Sequence, residues 1–102
     1  MPKAVYLVTS QASAPERDAE FNDWYTNVHL PDVCAVDGVM GASRYQLLGS
    51  ESPKYLAIYE IDHESPESVV AAIAAAAMEG RMRMSDSMSM KPPPDTRLFV
   101  QA

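Results

Sequence analysis

The sequence predicts an α+β fold, a ferredoxin-like sandwich in which two helices cover one face of a four-stranded antiparallel sheet. Three observations predict it. Four short apolar segments rich in β-branched and aromatic residues read as strands. Two longer segments carry helix-start signals and apolar residues at helical spacing. Their order along the chain, β-α-β-β-α-β, is that of the split βαβ unit.

Ala4 to Thr9 is the first strand, apolar enough to be buried on both faces. Ser13-Ala14-Pro15-Glu16 then offers a capping hydroxyl, a proline in the first turn and an acid three residues after the cap, so a helix begins near Ala14. Phe21, Trp24, Tyr25 and Val28 fall on one stripe of that helix. Pro31 disfavours helical geometry at Leu30 and places the helix end near His29, with a further short turn over Asp32 to Val36. Asp37-Gly38 marks a turn. Val39 to Leu48 and Tyr55 to Ile61 form a hairpin with a longer loop. Ser65-Pro66-Glu67 opens a second helix that Gly80 ends, with Val69, Val70, Ile73, Ala76 and Ala77 facing inward. Arg81 to Asp95 has no stable period, and Thr96 to Gln101 is the last strand.

The chain of 102 residues is 47% hydrophobic and suits one compact domain with a thin core, burying roughly 65% of its unfolded surface. Eight Lys+Arg against 14 Asp+Glu leave a net charge of -6, which argues against a nucleic-acid partner or an anionic membrane surface. No apolar run approaches the ~20 residues of a membrane span. A start without a leader pattern and a single cysteine, Cys34, lead to a cytoplasmic expectation. In the third strand Tyr55, Ala57, Tyr59 and Ile61 oppose Leu56, Ile58 and Glu60, and in the first Val5 and Leu7 oppose Ala4, Tyr6 and Val8. Both sheet faces are therefore apolar, although two helices cover only one, which predicts a homodimer packed sheet to sheet.

The run Trp24-Tyr25-x-x-x-His29-x-Pro31, followed by Asp37-Gly38-Val39, Arg44-Tyr45 and Pro53-Lys54-Tyr55-Leu56-Ala57-Ile58-Tyr59-Glu60, resembles the EthD-like branch of the dimeric α+β barrel superfamily. The resemblance covers residues 1 to about 62 in register. It implies a ligand cavity within each subunit between sheet and helices and a dimer formed through the sheets. It does not specify a reaction, since the superfamily includes cofactor-free monooxygenases, cyclases, isomerases and haem enzymes.

His29 is the leading candidate for chemistry, as a general acid/base near neutral pH or as a cap on the helix C-terminus. Tyr25, four residues earlier, lies at the same border of the stripe and is the second catalytic candidate. Trp24, Arg44, Tyr45 and Tyr59 are candidate substrate-binding residues. Trp24 serves equally as core, and Arg44 either pairs with Glu60 on the hairpin or holds a carboxylate or enolate. Asp32 either orients His29 or caps the short turn. Cys34 reads as a small buried hydrophobe, and His63 as a solvated loop residue. The two Met-x-Met pairs between Arg81 and Met90 suggest an apolar flap rather than a copper site. No metal or nucleotide motif is present.

The expectation is a cofactor-independent enzyme using acid/base chemistry, a cyclase, isomerase or lyase or else a cofactor-free monooxygenase, on a hydrophobic, oxygenated, aromatic or polyketide-like small molecule. A non-catalytic binding protein, or a haem protein with His29 as axial ligand, are the alternatives.

Overall fold

The computed structural model describes residues 3–102. Its sheet has the order β2-β3-β1-β4, all neighbours antiparallel, built from β1 (Lys3–Ser10), β2 (Val39–Gln46), β3 (Tyr55–Asp62) and β4 (Asp95–Val100). The helical layer consists of α1 (Asp18–Trp24), a π-helical stretch over Tyr25–His29, α2 (Leu30–Cys34) and α3 (Pro66–Met78). This is the ferredoxin-like arrangement. Among the described residues no helix is long and apolar enough to cross a membrane.

Strand alternation assigns the two faces. Ala4, Val8, Ala57, Tyr59 and Ile61 are buried against the helices together with Phe21, Trp24, Tyr25, Val33, Val69, Ile73 and Ala76. Val5, Leu7, Leu56 and Ile58 belong to the outer face, where Tyr45 and Phe99 are exposed.

Two local expectations need correction, and one irregularity is new. The first helix does not stop at His29. A proline in a helix lacks its own N–H and crowds the carbonyl four residues before it. Here the turn preceding Pro31 widens, Leu30 N–H bonding the Tyr25 carbonyl five residues back, and the helix continues to Cys34. Neither helix start uses a hydroxyl cap: α1 is entered through a 3₁₀ turn at Pro15–Arg17, and the Ser13 N–H donates to the Ser87 carbonyl at 2.7 Å. Met40 is the extra residue of a β-bulge, since Val39 pairs with Ile61 and Gly41 with Glu60; the bulge turns its side chain out to 67% exposure.

The turn before β2 depends on Gly38, whose φ of +97° suits glycine, and whose neighbours Val69 and His63 leave no room for a Cβ. The segment 81–94 has no regular element, yet it is fastened rather than loose. Ser89 N–H donates to the Gln11 carbonyl, Arg17 pairs with Asp86, and Met82 and Met88 sit in the core. Met84 and Met90 are exposed, so half of the expected Met flap is core.

Candidate functional site: an aromatic cluster around His29 and Arg44

The widened helical turn brings three aromatic side chains together. In an α-helix residues five apart diverge around the axis, whereas an i→i+5 turn sets one above the other. Trp24 accordingly stacks on His29, ring centroids 4.8 Å apart and planes within 23°. Tyr25 meets the same imidazole edge-on at 4.8 Å. Phe21, from the preceding turn, is fully buried and packs edge-on against Tyr25 at 5.6 Å.

The sheet supplies the other half. Tyr59 of β3 faces the helices, and its hydroxyl shares a 2.8 Å hydrogen bond with that of Tyr25. Burial raises the pKa of both phenols, so both are protonated at neutral pH. Arg44 of β2 pairs with Ala57 and therefore projects to the same side. Its guanidinium lies 4.4 Å from the Tyr25 ring centroid and 5.1 Å from that of Tyr55, a cation over aromatic faces. Arg44 Nη1 donates to Thr26 Oγ1 at 3.1 Å. The Tyr55 hydroxyl is held by both oxygens of Asp18 at 3.0 Å.

Two groups in this cluster are left unsatisfied. His29 Nδ1 is buried without a hydrogen-bond partner, and so are Nε and Nη2 of Arg44. Burial pushes the His29 pKa down to about 4, with Asp32 opposing and Arg44 adding to the shift, so the imidazole is neutral at physiological pH. Burial lowers the Arg44 pKa as well.

Five of the six sequence-predicted site residues, Trp24, Tyr25, His29, Arg44 and Tyr59, thus converge. Tyr45 does not: it neighbours Arg44 in the strand, points to the opposite face and is 56% exposed. The suggested Arg44 pair with Glu60 does not form, because Glu60 pairs across from Gly41 on the outer face. Asp32 does not orient His29 either. It accepts the backbone N–H of Arg83 at 3.0 Å and its guanidinium at 2.6 and 3.2 Å, which holds its carboxyl down to about 2. His63 is half-buried, its Nδ1 accepting the Ser65 N–H at 2.9 Å. Burial raises the Cys34 thiol, as suits a small hydrophobe. Sequence reasoning missed Thr26 and Asp18 as partners, and it missed the Arg83 carbonyl that accepts Trp24 Nε1–H at 2.8 Å.

The clefts that open in the structure include one of about 210 Å³ beside Gln11, Ser13 and Glu51, and one of about 420 Å³ beside Tyr45, Leu47 and Leu56. Neither is lined by Trp24, Tyr25, His29 or Tyr59. An axial haem ligand needs room for the macrocycle beside its nitrogen. With Trp24 and Tyr25 packed on His29, the residues do not fit that alternative. Among the described residues no group of three or more His, Cys, Asp or Glu is placed to hold a metal ion.

No family model and no curated protein matches the chain. Among solved structures it is similar to the crystal structure of an ethyl tert-butyl ether d (EthD) family protein from Bacillus halodurans C-125, over 97% of both chains, with a TM-score of 0.51 and 20% sequence identity. The likeness is one of fold, and it spans nearly the whole chain.

Proposed function

We propose that the cluster around His29 is a small-molecule site that works by proton transfer without a cofactor, on a hydrophobic, oxygenated, aromatic or polyketide-like substrate. One observation carries the reading: His29 Nδ1 and the Nε and Nη2 of Arg44 are buried without partners around a single tyrosine ring. Buried polar groups are almost always satisfied in folded proteins, and exceptions concentrate where a ligand or a reaction completes them.

The roles follow from charge. The neutral imidazole of His29 takes a proton from an acidic C–H of the substrate, and the electron pair moves onto the adjacent carbonyl oxygen. The positive charge of Arg44 offsets the negative charge that develops there. His29 then returns the proton to another carbon, which makes the overall step an isomerisation or the opening step of a cyclisation. Tyr25 and Tyr59 are both protonated and one hydroxyl donates to the other, so the pair offers a single O–H donor rather than a base, and Trp24 and Phe21 form the apolar wall.

A base whose conjugate acid has a pKa near 4 is weak, so an activated substrate is required. The ring opening of 5-nitrobenzisoxazole, an aromatic C–H acid, reads such a base directly. The wild-type rate should rise with pH through about 4 and then level. His29→Ala should lower it by about 10²-fold or more. Full activity in His29→Ala would overturn the role.

We also propose that two copies pack through their outer sheet faces. Support comes from Val5, Leu7, Leu56 and Ile58, flanked by Tyr45 and Phe99 with 56% and 51% of their surface exposed. Contiguous exposed apolar faces on soluble proteins mark interaction surfaces. Sedimentation should give twice the chain mass at micromolar concentration, and a monomer there would refute the pairing.

A further inference from the structure

The arginines of this chain show what is missing at Arg44. Arg17 donates Nε to Glu20 Oε1 at 3.0 Å and Nη2 to Oε2 at 2.7 Å. Arg83 treats Asp32 in the same way, Nε to Oδ2 at 3.2 Å and Nη2 to Oδ1 at 2.6 Å. Both grip a carboxylate side-on with the Nε–Nη2 edge, a geometry fixed by the planar guanidinium. In Arg44 the third nitrogen is taken by Thr26 and the flat face by Tyr25, while that same edge is buried and empty-handed.

Among the described residues no acid hydrogen-bonds that edge, although the Asp18 charge acts on Arg44 from nearby. Glu60 is on the other side of the sheet, and Asp18 is engaged by the Tyr55 hydroxyl. Two guanidinium N–H groups buried without an acceptor are costly, and cation–π contacts offset only part of that cost. A bound carboxylate supplies two charge-assisted hydrogen bonds at once. The neighbouring walls, Phe21, Tyr25, Tyr55 and Trp24, are aromatic faces and edges that suit a flat ring.

We propose that the Nε–Nη2 edge of Arg44 is a carboxylate subsite, and that the substrate of this site is an aromatic or conjugated carboxylate whose two oxygens accept those two N–H groups. The inference rests on the reading of the His29 cluster as a small-molecule site and names its substrate class. Seated there, the substrate keeps its ring on the aromatic wall and presents its remaining carbons to His29, which shares the Tyr25 ring with Arg44.

The test uses benzoate and its neutral isostere benzamide as probes on the full chain. Binding is followed through Trp24, the only tryptophan, and through the Arg44 Nε–H resonance in nitrogen-15 spectra. Benzoate should bind at least about tenfold tighter than benzamide and move the Arg44 resonance. Arg44→Lys, which keeps the charge but loses the fork, should abolish the preference. Equal binding of the two probes, no binding of benzoate, movement of the Arg17 or Arg83 resonance instead, or a preference retained by Arg44→Lys would each overturn the subsite. The comparison of probes on the wild-type chain stands whether or not the variant folds. Failure of the His29 reading is separable: a benzoate preference in a protein whose His29→Ala variant opens benzisoxazole at the wild-type rate would remove the base and leave the subsite.

Discussion

Phe21→Ala is expected to lower the free energy of unfolding by about 3–5 kcal/mol. The ring has no exposed surface and contacts every wall of the candidate site: Tyr25 at 5.6 Å, Tyr55 at 5.9 Å, Trp24 at 6.3 Å, and the Arg44 guanidinium at 5.6 Å. Its removal leaves a cavity between helix and sheet that rigid neighbours collapse into only partly. Against a total stability of about 5–15 kcal/mol, that loss is a large share. Urea unfolding followed by Trp24 emission measures it, and Phe21→Leu, which preserves more volume, should cost less. A loss below about 1 kcal/mol for the alanine variant would show that the ring does not hold the helix to the sheet.

Acid should unfold the protein through His29 before the carboxylates contribute. The folded imidazole has a pKa of about 4, below its ordinary 6.5, so between these values the unfolded chain binds the extra proton. Stability is complete above pH 6.5, falls as pH drops towards 4, and has no further dependence on this group below 4. The interval corresponds to about 3 kcal/mol at one kind of site. Asp32, held down to about 2 by Arg83, acts in the next window: its contribution is present above pH 3.8 and is lost as pH falls through 2. Melting temperature measured from pH 7 to 4 should decline in the wild type and be nearly flat in His29→Gln. Parallel curves would mean that the imidazole is not desolvated as described. The comparison with the variant also removes the opposing effect of the net charge of -6, whose self-repulsion weakens on acidification.

Much of the fold was legible because its signals are local. Strand alternation put Tyr59 with Ala57 and Ile61 and against Leu56, and these residues do divide between the faces. The α3 stripe of Val69, Ile73 and Ala76 is buried as its spacing predicts. What escaped the sequence depends on contacts between distant segments. Asp32 lost its expected role because Arg83, 51 residues away, claims it. The Met-rich segment acquired fixed points from the loop after β1 that no period announces. The bulge at Met40, which shifts strand register by one residue, has no signal in the alternation either.

The site itself was half legible. Tyr25 and His29 stand four apart and are neighbours in any helical reading. Arg44 and Tyr45 are adjacent in one strand and had to part, one to each face, though both were candidates. The stack of Trp24 on His29 was hidden, since it needs a turn wider than the α-helix supplies.

That wider turn also settles a matter of phase. At about 100° per residue, the twelve steps from Phe21 to Val33 in an unbroken α-helix would set Val33 roughly 120° around from Phe21, away from the core. Yet Phe21 is 0% and Val33 1% exposed. A π turn absorbs one extra residue, and with one step removed the offset falls to about 20°. The helix is in effect an α-helix with a single residue inserted between Trp24 and Leu30, and the same insertion that keeps both ends of the helix on the sheet carries His29 under Trp24.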